Sequence, residues 1–299
     1  MSRLCDLTYG IVGLGLMGGS LAKAIRGNVL GAPAAKGRIL GYDINVASLE
    51  QAASQHIVDA VYDTQAVDKM LAQCDVVYVC LYPHATVQFL KEYRAAFKSG
   101  AIISDISGVK ALLFANLGDI VREDTDFIPG HPMAGSEREG FAYSSGDIFQ
   151  NHNYILMPLE HTRPEKLALF RSLISAMGFT RIVETDAHVH DHKIAFTSQL
   201  CHVIASALVD SAEDTGVTAF GGGSFEDLTR IAMINAPLWA ELFLANRDEL
   251  LLHIDKFMHS LESLRGYIAD GSSADIEAYL ENVRTRRVAM NTIVSKAAQ

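Results

Sequence analysis

YGIVGLGLMGGSLAKAI, residues 9–25, lies close to the start of a 299-residue chain and admits three readings. A secretion signal would use its apolar run and the small-x-small pattern Ala22-Lys23-Ala24. Five glycines interrupt that run, Asp6 sits where a basic leader belongs, and cleavage would delete the strand before Gly13. A spanning helix needs about 20 apolar residues, which this glycine-rich segment lacks. The third reading is a phosphate-binding turn. Leu7–Val12 is predicted as a buried strand, Gly13-Leu14-Gly15-Leu16-Met17-Gly18 fits G-x-G-x-x-G, and residues 17–26 continue as a helix. Gly13 then makes the tight turn, Gly15 lets the backbone approach a pyrophosphate, and Gly18 lets helix and strand pack. The N–H groups of Leu16 and Met17, at the positive end of the helix dipole, are expected to hold the phosphates.

The next stretch strengthens this reading. In RILGYDIN (38–45) a second strand, Arg38–Tyr42, ends at Asp43. An acid there accepts hydrogen bonds from ribose hydroxyls and repels a 2′-phosphate, so NAD is the expected cofactor rather than NADP. Strand and helix patterns then alternate. Helices are predicted over 46–55, 65–73, 84–97, 110–117 and 164–177. Strands are predicted near 57–61, 76–80, 101–104, 127–128, 154–157 and 181–183. This alternation predicts an α/β, mainly parallel, doubly wound Rossmann-type sheet, with ligands at the carboxyl ends of its strands. From about Asp186 the pattern turns helical: 188–214, 225–253, 255–267 and 273–298 read as helices, broken mainly at FGGGSFED (220–227). Ala195–Val209 is apolar on more than one side, as in a domain core or a subunit interface. The expected organisation is a dinucleotide-binding domain over 1–186 and an all-α domain over 187–299 that binds substrate and forms a homodimer.

Composition limits the partners. The chain is 49% apolar and 20% charged, with a net charge of −10 and no cluster of lysines and arginines. Nucleic acid and acidic membranes are therefore not expected partners, whereas a small anion held by one or two arginines is. Cys5, Cys74, Cys80 and Cys201 form no C-x-x-C pair and read as reduced thiols of a cytoplasmic protein.

Three constellations carry chemistry. In IPGHPMAGSEREGF (128–141), His131 follows a predicted strand on a loop facing the cleft. A neutral imidazole there accepts a hydroxyl proton as hydride leaves the same carbon; the alternative is a histidine merely bonded within its loop. In SDISGVK (104–110), Ser107 can bond the histidine or the substrate hydroxyl, or cap the following helix, and Gly108 suggests a close backbone approach to the nicotinamide. In GGGSFEDLTRIAMINAPLW (221–239), Arg230 sits about one turn into a predicted helix. Its guanidinium either grips a substrate carboxylate or pairs with Glu226 or Asp227. HVHDH (188–192) invites a metal reading. Two histidines share a helix face there, but no cysteine or paired carboxylate lies nearby in sequence, so no metal is expected.

Together GLGLMGGSLAKAI, GYDIN, DISGVK, HPMAGSE and GGGSFEDLTRIA resemble the prephenate/arogenate dehydrogenases of tyrosine biosynthesis, over nearly the whole chain. The resemblance implies a Rossmann-type domain followed by a helical dimerisation domain. It implies NAD-dependent oxidative decarboxylation, with His131 as proton acceptor and Arg230 on a substrate carboxylate. It places Ser136 and Glu137 along the site, with Glu137 as a gate, and His202 at the substrate. The family commonly reads S-H-L-P-H at a segment that here is Ser198-Gln199-Leu200-Cys201-His202, so Gln199 replaces a histidine and leaves a keto-acid or an amino-acid tail open. Ser107 stands one place earlier than in the common G-S-V-K order. A 3-hydroxyacid dehydrogenase would carry K-x-x-x-N early in its second domain, whereas here Lys193 is followed by Thr197. A non-catalytic NAD sensor would need neither base nor carboxylate grip.

Overall fold

The computed structural model describes residues 4–296. Its centre is a six-stranded parallel sheet of order β3-β2-β1-β4-β5-β6. The strands are β1 (Thr8–Val12), β2 (Arg38–Tyr42), β3 (Ala60–Tyr62), β4 (Val76–Val79), β5 (Ile102–Asp105) and β6 (Asp126–Phe127). Between them run α1 (Leu16–Ala24), α2 (Val46–Ser54), α3 (Val67–Leu71), α4 (Pro83–Glu92), α5 (Ala111–Phe114) and α6 (Leu117–Ile120). Side chains alternate across the sheet. Tyr9, Ile11, Val76 and Tyr78 enter one buried cluster, while Val12, Val77 and Val79 enter the other. Both faces are therefore covered, as a parallel sheet requires.

Strand order reverses between β1 and β4, the place where such sheets open a crevice. Register brings the strand ends level: Val12 pairs with Tyr42 and Val79, and Val79 with Asp105. Two glycines are dictated by sterics at this point. Gly13 has φ +88°, and a Cβ on Gly18 would lie 1.8 Å from the Gly13 carbonyl oxygen.

The structure corrects several expectations. The segments near 154–157 and 181–183 do not extend the main sheet. They form β8 (Asn153–Leu156) and β9 (Arg181–Glu184) of a second, three-stranded sheet, whose third member is β7 (Gly130–Pro132). β7 runs antiparallel to β8, and His131 pairs with Ile155. His131 is thus held in a strand rather than on a loop, because its backbone has a ladder partner. The 110–117 helix is two short helices, α5 and α6. Its cap is not Ser107: Asp191 accepts from the N–H groups of Lys110 (2.9 Å) and Ala111 (2.8 Å).

After α7 (Pro164–Ala176) and β9, the described residues form no further strand. α8 (Ala187–Ile194) passes through a π-turn into α9 (Leu200–Asp210). There follow α10 (Gly223–Thr229), α11 (Ala236–Ala245), α12 (Arg247–Ala269) and α13 (Ser273–Lys296). The expected 225–253 helix is therefore broken twice. Pro237 favours a helix start, and Asn235 caps α11 by accepting from Leu238 N–H at 2.8 Å. Arg230 lies just beyond the last residue of α10, not one turn into a longer helix. No helix among the described residues is long and apolar enough to cross a membrane.

Candidate active site

A cleft of about 600 Å³ opens at the carboxyl ends of β1, β4 and β5 and is closed from the other side by α9, α11 and the turn after α10. Its walls include Gly15–Gly18, Ser107 and Gly108, His131, Ser136 and Glu137, Gln199, His202 and Arg230. Residues separated by more than two hundred positions thus meet in one space.

The dinucleotide end follows from the glycine turn. Gly15 precedes α1 without a side-chain cap, and a Cβ built on it would meet nothing within 4 Å. The first turn of α1 therefore offers uncrowded backbone donors to an anion. Asp43 secures the turn, accepting from Leu14 N–H at 2.6 Å and Asn45 N–H at 2.7 Å. A carboxylate has about four acceptor sites, so two bonds leave capacity for ribose hydroxyls. These residues fit a dinucleotide.

The other end of the cleft centres on His131. Its Nδ1 lies 2.9 Å from His190 Nε2, and His190 Nδ1 lies 2.7 Å from Asp191 Oδ1. The tautomers follow from the network. Anionic Asp191 accepts from His190 Nδ1–H, so neutral His190 presents a bare Nε2. That nitrogen accepts from His131 Nδ1–H and leaves the lone pair on His131 Nε2. Nε2 faces the cleft: a side chain on Gly108 would approach it to 3.7 Å. Such contact is ordinary, so backbone sterics do not demand glycine at 108; a side chain there would instead enter the cleft beside His131. Burial, then His190, then Lys110 push the His131 pKa well down, and burial lowers that of His190 against the pull of Asp191. Both shifts favour the neutral rings.

His190 and Asp191 are the residues that sequence reasoning missed. Their signal was present in HVHDH but pointed toward metal, since nothing local couples them to His131. Two further omissions lie beneath the site. Lys110 and Asp105 form a fully buried ion pair at 2.5 Å. Lys110 Nζ also donates to the Gly130 carbonyl (2.6 Å), and Asp105 Oδ2 accepts from Ser107 N–H (2.8 Å). This pair ties the end of β5 to the strand that carries His131. Ser107 lines the cleft, while the ring partner of His131 is His190.

The cleft mouth is polar. Arg230 Nη1 meets Glu137 Oε2 at 3.3 Å, not Glu226 or Asp227. A bond from its own backbone, together with the Arg230 guanidinium, holds the Glu137 carboxyl below the usual range. Ser136 Oγ accepts from Arg138 N–H at 3.2 Å, which shapes that loop. His202 donates from Nδ1 to the Ile231 carbonyl (2.9 Å) and packs against Trp239, with ring centroids 3.6 Å apart and the planes tilted by 41°. Burial, against the pull of the Ile231 carbonyl and with repulsion from Arg230, lowers its pKa, so its Nε2 is an acceptor. Gln199 has both ends of its amide engaged: Nε2 donates to the Leu242 carbonyl (2.8 Å), and Oε1 accepts from Asn246 (2.7 Å).

Comparison with known proteins agrees with this geometry. The family model described as the prephenate dehydrogenase nucleotide-binding domain matches residues 22–183, and the prephenate dehydrogenase dimerization domain matches 186–282. A cyclohexadienyl dehydrogenase of Zymomonas mobilis is 30% identical over 94% of this chain and 95% of its own. A prephenate dehydrogenase of Bacillus subtilis is 26% identical over 96% of this chain and 76% of its own. Among solved structures, prephenate dehydrogenase from Aquifex aeolicus in complex with hydroxyphenyl propionate and NAD+ superposes with a TM-score of 0.83 at 29% identity, covering 95% of this chain and 98% of that one. A strand-turn-helix built for a dinucleotide, a cleft-facing imidazole and two matching family domains converge: the chain belongs to the prephenate dehydrogenase family of NAD-dependent enzymes.

Proposed function

We propose that this protein catalyses the NAD-dependent oxidative decarboxylation of prephenate to 4-hydroxyphenylpyruvate or of arogenate to tyrosine. The observation that carries the reading is the cleft shared by the glycine turn, His131 and Arg230. Residues 1–186 would bind the dinucleotide through Gly13, Gly15, Leu16, Met17, Gly18 and Asp43, with Gly108 beside the nicotinamide. When bound, the nicotinamide supplies the hydride acceptor. His131 Nε2 takes the proton of the ring hydroxyl as the carbon–hydrogen bond on that carbon breaks, and Ser107 borders that hydroxyl. The quaternary ring carbon then loses CO₂, its bonding electrons completing an aromatic ring. No free carbanion needs stabilising, so positioning, desolvation and one base suffice. The positive charge arriving on His131 is met through His190 by the Asp191 carboxylate.

Arg230 would exchange Glu137 for a substrate carboxylate, so Glu137 gates the mouth while Ser136 shapes its loop. His202 would accept from the substrate, and Gln199 would hold the adjoining wall. Assay of NADH absorbance with each substrate tests the reading: turnover of one or both is expected, and none with either would overturn it. Arg230→Ala is expected to raise KM by about tenfold or more with a smaller change in kcat, because a carboxylate grip acts chiefly in binding. A loss confined to kcat would contradict that role.

The helical region, 187–299, would also form a homodimer. Leu208, Val209, Leu244, Leu251, Leu261 and Ile268 are exposed on its helices and would supply apolar surface to such an interface. Sedimentation equilibrium is expected to give twice the chain mass. Cys5, Cys74, Cys80 and Cys201 form no disulfide, which accords with action in the cytoplasm.

A further inference from the structure

The sequence offered HVHDH no metal partners, but the fold supplies them from α12. His188 and His192 stand one turn apart on α8, and Glu249 and His253 stand one turn apart on α12. The two pairs face each other. His192 Nδ1 is 2.7 Å from Glu249 Oε2, and His188 Nδ1 is 3.9 Å from Glu249 Oε1. The His192 and His253 rings lie 4.7 Å apart between centroids, with His253 Nε2 3.1 Å from the His192 carbonyl. One ligand atom from each of His192, Glu249 and His253 lies within 4.8 Å of the others.

We propose that His192, Glu249 and His253 form a binding site for a divalent transition-metal ion of the zinc class, with His188 or water as fourth ligand. Donors around tetrahedral zinc at about 2.0–2.2 Å sit roughly 3.4 Å apart, so the widest separation, up to 4.8 Å, closes by as much as about 1.4 Å, while His192 Nδ1 and Glu249 Oε2, 2.7 Å apart, spread by about 0.7 Å. His188 is 83% exposed in its side chain and free to swing inward. Imidazole nitrogen with a single carboxylate favours zinc, cobalt, nickel or copper over magnesium or calcium, which want oxygen.

This site is separate from the reaction cleft. Two residues along a helix are about 200° apart, so α8 turns His190 toward His131 while His188 and His192 face α12. The bound ion would fasten α8 to α12, and so steady the helix that presents His190 and Asp191. Its role is structural, without part in the chemistry.

The test uses untagged protein stripped with chelator and titrated with zinc by calorimetry, and with cobalt followed by its visible absorption. One equivalent is expected, with Kd at or below about 1 µM. A hundredfold excess of zinc over Kd should raise Tm by roughly 5 °C. The double variant Glu249→Gln/His253→Ala should lose both effects. His188→Ala, at an exposed position that cannot threaten folding, should weaken zinc by up to about tenfold and otherwise leave the site intact, the lower end meaning that water fills the fourth position. Zinc weaker than about 100 µM, or bound equally well by the double variant, would overturn the proposal. Should the double variant misfold, Glu249→Gln alone decides by the same criterion.

Discussion

His131→Asn should lower kcat by about 10² or more, a typical loss when a general base is removed, while NAD affinity measured by fluorescence titration stays within about twofold. The asparagine amide offers no basic lone pair where His131 Nε2 stood, yet the glycine turn proposed to hold the dinucleotide is untouched. An unchanged kcat would remove His131 from the reaction. The pH profile of the parent enzyme gives a second readout. Protonation of His131 abolishes its acceptor lone pair, and burial pushes its pKa well below the ordinary imidazole value. Therefore kcat/KM should hold level as pH falls through the ordinary histidine range and decline only on the acid side of it. A decline centred above that range would show that another group titrates. His190→Ala should reduce kcat less than His131→Asn and leave KM nearly unchanged, because it frees the ring's tautomer without removing the base.

Asp105→Ala should destabilise the fold by about 3–5 kcal/mol, since it leaves the Lys110 ammonium buried without a counter-charge. Both side chains are fully buried, and burial already pushes the Lys110 pKa down, with Asp105 opposing it. Denaturant unfolding measures the effect, and a loss under about 1 kcal/mol would refute it. The double change Asp105→Leu/Lys110→Met should recover most of the stability, because apolar side chains of similar volume often replace a buried pair without net cost. Activity should not recover with it. The Lys110 bond to the Gly130 carbonyl and the Asp105 bond to Ser107 N–H vanish in the double variant, so β7 and the 107 turn lose their anchor. Stability and catalysis would thus separate at one pair.

The legible part of this protein was written in contiguous residues. Gly13, Gly15 and Gly18 lie within one turn, Asp43 closes the next strand, and the apolar runs 76–80 and 101–104 need no distant partner to be read as strands. The misreadings have a common cause. β8 and β9 have the same local pattern as main-sheet strands, and only pairing with β7 assigns them elsewhere. Arg230 was readable as an anion ligand, but its partner Glu137 is 93 residues away.

From residues alone came the alternation of strand and helix, the glycine turn after the first strand, the acid that ends the second and the change to helices after residue 186. Each rests on periodicity or backbone sterics acting over a few neighbours. The packing of α8 against β7, α5 and α12 decided the rest. It set His190 behind His131 across 59 positions and made Asp191 the cap of a helix 80 residues away. It also brought Glu249 and His253 to the outer histidines of α8. Such contacts depend on how rigid elements stack once their apolar faces are buried, and no local stretch of chain encodes them.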